Sequence, residues 1–228
     1  MCGRFTLTAD LAYLQERFAL EAPQGDDYTP SYNIAPGQSV MAVINEDGKR
    51  ATWFRWGLVP SWAKDPQIGH RLINARAETI ADKPSFRRAL RQRRCLVLAD
   101  GFYEWRKRGK HKQPMYIGLH DHQPFAFAGL WEMRRDADGA ALSTCTIVTT
   151  TANTLLQPIH ERMPVILHPT AEALWLDQHL VEPQPLLAVL APYAPEAMVA
   201  YPVSSLVNAP RHNSPACIVP LAAEEDAC

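Results

Sequence analysis

The 228-residue chain lacks the features that mark several large protein classes. Charged residues or prolines interrupt every apolar run, so no segment reaches the roughly 18 apolar residues that a membrane span needs. The start, Met-Cys-Gly-Arg-Phe, has no apolar leader region, so we expect a reducing, cytoplasmic location. The five cysteines are scattered without paired spacing, which predicts neither disulfides nor a metal site. We expect no cofactor and no membrane partner.

The formal net charge is only −1, which argues against a protein that coats nucleic acid by bulk electrostatics. The charges are nevertheless segregated, because residues 83–112 contain eleven Lys or Arg and two acids. Such a stretch could bind phosphates, although a solvated charged face is the commoner explanation.

Nineteen prolines and eleven glycines divide the chain into short segments. The apolar patterns predict strands at residues 39–44, 52–58, 95–105, 115–119, 125–131 and 145–150. They predict helices at residues 8–19 with Thr8 as the cap, at 86–94, from Thr170 as the cap through Gln178, and at 185–190. Without regular strand–helix alternation, we expect an α+β fold with a mostly antiparallel, partly barrel-like β-sheet core and peripheral helices. We expect one domain over residues 1–221, with an exposed loop at 22–31 and a short acidic tail at 222–228.

Cys2 becomes chemically special if an aminopeptidase removes Met1, a cleavage that requires a small second residue. A free α-amine has a pKa of roughly 7.7 to 8.0, so on the order of a tenth of it is neutral at pH 7. Condensation of this amine with an aldehyde, followed by attack of the neighbouring thiol, closes a five-membered thiazolidine. The same residue could instead attack an amide as an N-terminal nucleophile. Position two alone is also compatible with an ordinary cysteine.

The segment 74–79, Asn-Ala-Arg-Ala-Glu-Thr, alternates polar and small residues. An extended backbone would place Asn74, Arg76 and Glu78 on one face. An arginine there can grip a phosphate with two hydrogen bonds, and an asparagine amide can orient a reacting oxygen. A plain surface strand would show the same alternation.

Two further segments contain groups that can transfer protons. Glu104 ends an apolar segment, and burial between Tyr103 and Trp105 would favour its protonated form. A rim glutamate paired with Arg106 fits this segment equally well. His160 could act as an acid or a base near neutral pH, although a structural histidine is the commoner case.

Taken together, these segments resemble the SOS-response-associated peptidase family, whose members begin Met-Cys-Gly-Arg-Phe. The resemblance spans nearly the whole chain and rests on residues 1–5, 32–37, 56–62, 74–79, 99–105 and 159–164. It implies a monomer that binds abasic sites in single-stranded DNA, including those at junctions with duplex. It further implies that Cys2 holds the lesion as a covalent thiazolidine and so shields it during the DNA-damage response.

The resemblance also implies roles for individual residues. Glu104 would shuttle protons during sugar opening and Schiff-base formation, His160 would assist that step and its reversal, and Asn74 would orient the amine or the sugar. A further set matches positions that contact the DNA backbone without reading its sequence, namely Gly3, Arg4, Arg76, Thr149 and Arg162.

Pro36 and Trp62 match an apolar wedge that stacks on bases and bars continued duplex, although a core tryptophan is the alternative for Trp62. The chain departs from part of the family here. Ala63 stands where some members have a second tryptophan, and Pro84 stands where some carry an arginine. We therefore expect a weaker wedge and a weaker grip.

Two other functions stay open from the sequence. Cys2 with His160 and Glu104 could in principle hydrolyse amides as a cysteine peptidase. Alternatively, residues 83–112 and the aromatic residues could form a nucleic-acid-binding module without covalent chemistry.

Overall fold

The computed structural model describes residues 2–20, 28–46, 48–135 and 139–221, and these residues form thirteen strands and four α-helices. The strands are β1 Phe5–Leu7, β2 Ser31–Ile34, β3 Ser39–Asn45, β4 Lys49–Trp56, β5 Asn74–Arg76, β6 Arg94–Ala99, β7 Gly101–Arg108, β8 His111–Leu119, β9 Phe125–Arg135, β10 Ala141–Thr151, β11 Arg162–Pro164, β12 Ile166–Leu167 and β13 Met198–Pro202. The helices are α1 Leu11–Phe18, α2 Arg87–Gln92, α3 Pro169–Leu176 and α4 Pro183–Ala188. Short 3₁₀ turns occupy Pro66–Arg71, Ala77–Thr79, Pro195–Ala197, Ser205–Asn208 and Pro215–Cys217.

Five strands close into a barrel in the order β3, β4, β10, β9 and β6, with β6 returning to β3. Within this ring only the β4–β10 pairing is parallel. Strands β11 and β12 extend the sheet, and β5 adds to β10 in parallel. The expected α+β fold with a mostly antiparallel, partly barrel-like core is confirmed.

A second sheet has the order β13, β8, β7, β1 and β2, and all its pairings are antiparallel. The first strand of the chain thus lies inside this sheet, between β7 and β2. Its residue Phe5 packs edge-on against Trp56 and Phe127, with ring centroids 5.2 and 5.8 Å apart. This contact joins the two sheets around one apolar core and fixes the N-terminal strand against it.

The predicted strand at 95–105 is wrong as a single element. The chain passes from the barrel to the second sheet at Asp100, which separates β6 from β7. The Asp100 carboxylate accepts hydrogen bonds from residues 6–9 and so turns toward β1. Gly101 makes the crossing possible, because a Cβ there would lie 2.2 Å from the Tyr116 hydroxyl oxygen.

Two predicted helix caps are also wrong. The cap residue of α1 is Asp10, whereas the Thr8 hydroxyl donates to Asp100 instead. Helix α3 begins at Pro169, and the ring nitrogen of the cap residue His168 accepts from the Thr170 backbone N–H. Threonine was expected at both helix starts because cap preferences were taken from the local sequence. In the structure the Thr8 side chain donates to Asp100 instead, and Pro169 occupies the first position of α3.

The remaining predicted elements overlap observed ones: five strands overlap β3, β4, β8, β9 and β10, and four helices overlap α1 to α4. The predicted loop at 22–31 lies largely outside the described residues, and the acidic tail at 222–228 lies wholly outside them. Within the described chain, no helix is long and apolar enough to cross a membrane.

Candidate functional site

The beginning of the chain lies beside β7 and β5. The Phe5–Phe102 pairing continues toward the N-terminus, because the Tyr103 N–H donates to the Arg4 carbonyl at 2.9 Å. From the other side, the Asn74 amide donates to the Cys2 carbonyl at 2.8 Å. The Asn74 carbonyl oxygen Oδ1 is buried without a hydrogen-bond partner in the described chain. Cys2 and Asn74, predicted separately from the sequence, are therefore in direct contact.

The Cys2 thiol is fully buried in the chain that carries Met1. Burial raises the pKa of this thiol above its ordinary range, and the nearby Glu104 carboxylate raises it further. The sulfur lies 3.9 Å from the Arg4 carbonyl oxygen, a weak hydrogen bond. The thiol is therefore protonated at neutral pH, with a carboxylate in its electrostatic surroundings.

Glu104 is only 3% exposed, which excludes the rim position considered from the sequence. Its burial does not come from the flanking aromatic residues as expected. Neighbouring side chains alternate across a strand, so Tyr103 and Trp105 face the opposite side of β7. There the Tyr103 hydroxyl donates to the Tyr32 carbonyl, and the Trp105 indole donates to the Asn208 side chain.

Strand β10 organises a second group of predicted residues. Thr149 pairs with Arg76 of β5 on one side and with Pro164 of β11 on the other. Arg76 is exposed, whereas Thr149 is fully buried. The Thr149 backbone carbonyl and hydroxyl both accept from Arg162, at 2.7 and 3.3 Å. The register of β5, β10 and β11 thus gathers Asn74, Arg76, Thr149 and Arg162.

Arg162 is 8% exposed and forms a bidentate ion pair with Glu78, at 2.5 and 3.0 Å. The hydrogen bond from Arg162 lowers the pKa of Glu78 below its ordinary range, and Arg76 adds to the effect. Glu78 reaches this position because the extended segment ends at Arg76 and continues as a 3₁₀ turn. The expectation that Asn74, Arg76 and Glu78 share one strand face is therefore wrong for Glu78.

His160 contacts the same strand end through the backbone of Arg162. Its Nδ1 lies 3.0 Å from the Arg162 backbone nitrogen and 3.2 Å from the Arg162 carbonyl oxygen. A neutral ring can accept from the N–H, and a protonated ring can donate to the carbonyl. Both protonation states of His160 therefore have a partner in this position.

Arg4 is bound within the chain. Its guanidinium donates to the Asn33 side chain at 2.7 Å and to the Val207 carbonyl at 2.6 Å, and it lies over the Trp105 ring. Asn33 in turn donates to carbonyls of residues 207–212. Arg4 and Asn33 thereby hold the 205–212 segment against the N-terminal strand, next to the partly buried Gly3.

The two predicted wedge residues lie on separate loops. Pro36 is partly buried in the turn between β2 and β3. Trp62 is 60% exposed, which excludes a core tryptophan. It borders two grooves of about 460 and 510 Å³, the second of which is also lined by Pro84, Arg87 and Arg88.

Sequence reasoning missed Asp100 and Asn33 as site supports and Glu78 as the partner of Arg162. Each of these three residues lies in a segment that attracted attention because of another residue. Their polar side chains, close in sequence to a candidate, were the signal that could have identified them. The described cysteines are all free, and no cluster of His, Cys, Asp or Glu in the described ranges could hold a metal ion.

Comparison with known proteins accords with this arrangement. Residues 1–210 match the family described as SOS response associated peptidase (SRAP). The abasic site processing protein YoqW of Bacillus subtilis is 48% identical over 96% of this chain and 99% of its own length. The abasic site processing protein HMCES of Gallus gallus is 32% identical over 97% of this chain and 78% of its own.

A crystal structure of a protein from Bacteroides thetaiotaomicron superimposes with a TM-score of 0.87 at 28% identity, over 97% of this chain and 100% of the other. The family match and these relatives extend over nearly all of the sequence, including every candidate residue described above. The chain belongs to the SOS response associated peptidase family.

Proposed function

We propose that this protein binds abasic sites in single-stranded DNA and forms a covalent thiazolidine with them through Cys2, once Met1 has been removed. The relatives named abasic site processing proteins support the substrate. The observation that carries the chemistry is the contact of Asn74 with Cys2 beside the buried Glu104. We further propose that the protein acts as a cytoplasmic monomer that shields the lesion.

The reaction balances without an oxidant or a reductant. The α-amine of Cys2 attacks the aldehyde carbon of the open-chain sugar, and loss of water leaves a carbon–nitrogen double bond. The sulfur then bonds to that carbon while the thiol proton passes to the nitrogen, which closes the ring. One molecule of water leaves overall.

The surrounding groups suit these steps. The unfilled Oδ1 of Asn74 can accept from the new amine and aim its lone pair at the aldehyde. Glu104 is buried and acts electrostatically on the Cys2 thiol, and we assign to it the exchange of protons with the attacking groups. His160 can take up or release a proton while keeping a backbone partner in either state. The thiol is needed only after the imine forms, so its protonated state does not block the first step.

A cysteine peptidase would need the thiolate as its first nucleophile. Burial and the Glu104 carboxylate both oppose formation of that thiolate. In the chain that retains Met1, both effects therefore oppose attack of the Cys2 thiolate on an amide, and peptide turnover serves as the competing outcome of the test.

DNA would be held by backbone contacts and stacking. Arg76 is exposed and can bind a phosphate directly. Arg162 would have to release Glu78 before it could bind a phosphate. Arg4 would have to bind DNA either while keeping its internal acceptors or after releasing them. Gly3 would contribute close backbone approach, whereas Thr149 is fully buried and would act only by holding Arg162, from which its carbonyl and hydroxyl accept. Exposed Trp62 can stack on a base, with Pro36 as the second apolar element of the wedge.

The test is incubation with single-stranded DNA that carries one abasic site, followed by denaturing electrophoresis and mass spectrometry. We expect a denaturation-resistant adduct whose mass is the sum of both components less one water. Cys2→Ala and Cys2→Ser both keep an α-amine but lose the thiol, so each should allow at most a reducible imine and neither should give the denaturation-resistant adduct. A chain with an N-terminal extension should bind the DNA but form no adduct. Turnover of peptides without an adduct would establish the peptidase function instead.

A further inference from the structure

The tip of the β7–β8 hairpin carries a dense positive charge. Residues 106–112 include five Lys or Arg and one His but no acid. Every residue from 107 to 112 is exposed. At the turn, Gly109 has φ +58, and no atom lies within 4 Å of where a Cβ would be. The tip therefore projects from the protein surface.

Fold stability does not account for this charge. The strand register places Lys107 opposite Lys112. Like charges directly opposite each other destabilise an antiparallel pair. Within the described chain, neither Lys107 nor Lys112 forms an ion pair that would offset the repulsion. A polyanion bound at the tip would neutralise these charges and remove the repulsion between them.

The rest of the basic stretch at 83–112 is used differently. Arg94 is buried and donates to four backbone carbonyls. Arg93 forms an ion pair with the buried Glu132 at 2.7 Å. The structure thus divides this stretch into internal cations and separate exposed groups, of which the hairpin tip is one.

The hairpin also continues directly from the candidate site. Strand β7 carries Glu104, and at roughly 3.3 Å per residue Arg108 lies about 13 Å farther along the strand. A single DNA strand covers this distance within a few nucleotides, so a phosphate near the lesion can reach the tip. A nucleic-acid backbone that passes Glu104 can therefore meet the tip without bending away.

We propose that the β7–β8 hairpin is a second DNA-binding element that holds backbone phosphates about 13 Å from the abasic site. The inference rests on the proposed function, since that function places the lesion at Glu104. The chemistry recognised is the phosphate charge, without base readout.

The test compares two variants of equal charge change. The hairpin variant combines Lys107→Gln with Lys112→Gln, and the control combines Lys49→Gln with Arg50→Gln at the tip of the β3–β4 hairpin. Binding to labelled single-stranded DNA containing a tetrahydrofuran abasic analogue, which has no aldehyde, is measured against salt concentration. The hairpin variant should lower the salt-dependence slope by about 1.4, because each single-strand phosphate contact contributes about 0.7.

The loss should vanish on an oligonucleotide cut back to the nucleotides directly flanking the analogue, since such DNA cannot span the distance of about 13 Å to the tip. The control variant should keep the parental slope on both. Equal slopes for the hairpin variant and the parent on the longer DNA would overturn the proposal, as would an equal loss in the control. The hairpin variant should unfold at no lower temperature than the parent, because its cross-strand repulsion is reduced.

A failure of the hairpin proposal can be distinguished from a failure of the proposed function. Adduct formation is scored separately on the parent chain with aldehyde-bearing abasic DNA. An adduct together with equal slopes would remove only the hairpin proposal. A slope difference without any adduct would leave the hairpin as a DNA contact and remove the covalent chemistry.

Discussion

Replacement of Asp100 by asparagine should weaken the attachment of the N-terminal strand on which Cys2 is carried. The Asp100 carboxylate is 7% exposed and accepts four hydrogen bonds from β1 and the residues after it. The donors are the Thr6 hydroxyl at 2.5 Å, the Thr8 hydroxyl at 2.7 Å, the Ala9 backbone N–H at 2.9 Å and the Thr8 backbone N–H. Residues 94 positions apart are thereby joined at the point where the chain changes sheets.

The magnitude follows from the kind of bond lost. A hydrogen bond to a charged group contributes about 1.5 to 3 kcal/mol, against about 0.5 to 1.5 kcal/mol for a neutral one. Asp100→Asn converts the bonds to neutral ones and turns one acceptor into a donor. We therefore expect a loss of about 3 kcal/mol in the free energy of unfolding, a large share of the roughly 5 to 15 kcal/mol typical of a domain. In a chain of this size the melting temperature should fall by about 6 to 12 °C.

The free energy of unfolding is measured by urea unfolding at neutral pH and compared between chains that have equal m-values. The rate of adduct formation is measured separately, well below the melting temperature. Asp65→Asn is the matched control, because Asp65 also accepts a backbone N–H, from Gln67 at 2.8 Å, but at an exposed site. It should cost no more than about 1 kcal/mol. If Asp100→Asn unfolds within about 0.5 kcal/mol of the parent, the four bonds do not anchor the strand and the reasoning is refuted.

Two further predictions concern charged groups at the site. Glu78→Gln frees Arg162 for phosphates and should raise noncovalent affinity for undamaged single-stranded DNA in fluorescence anisotropy, whereas a fall would mean that Glu78 only positions the arginine. Because Arg162 lowers the pKa of Glu78, their pair contributes stability above the ordinary glutamate pKa, and this is lost as the pH falls through the lowered value. Urea unfolding of Glu78→Gln should lack that part of the acid sensitivity. In the chain that retains Met1, the raised pKa of Cys2 should keep iodoacetamide labelling at mildly alkaline pH far slower than for free cysteine, as peptide mass spectrometry would show.

The longer strands and the helices were predictable because their signals are local, whereas the short strands β1, β2, β11, β12 and β13 were not predicted. Alternation and proline or glycine boundaries located five of the six predicted strands and all four helices. The break at Asp100 was not predictable in the same way, because residues 95–105 have the apolar pattern of one strand. The partners that divide it are Thr6, Thr8 and Ala9, which local patterns cannot connect to it.

Local motifs also did not predict the ion pairing within the candidate site. Residue types in short motifs indicated Cys2, Asn74 and Glu104; in the structure Asn74 contacts Cys2, and the buried Glu104 acts on the Cys2 thiol electrostatically. The motifs did not indicate that Arg162 would already hold a carboxylate. That pairing depends on a turn that begins after Arg76 and on a strand register set by β10.

The internal partners of the arginines decide which variant can report a DNA contact. Arg4 is bound to Asn33 and to the Val207 carbonyl, and Arg162 to Glu78 and the Thr149 carbonyl. An alanine variant of either would leave buried acceptors unfilled and lower stability as well as binding.

Arg76 is exposed, so Arg76→Ala should change the free energy of unfolding by no more than about 0.5 kcal/mol. It should lower the salt-dependence slope on single-stranded DNA by about 0.7, the contribution of one phosphate. An unchanged slope in a variant of parental stability would exclude Arg76 from the DNA-binding surface.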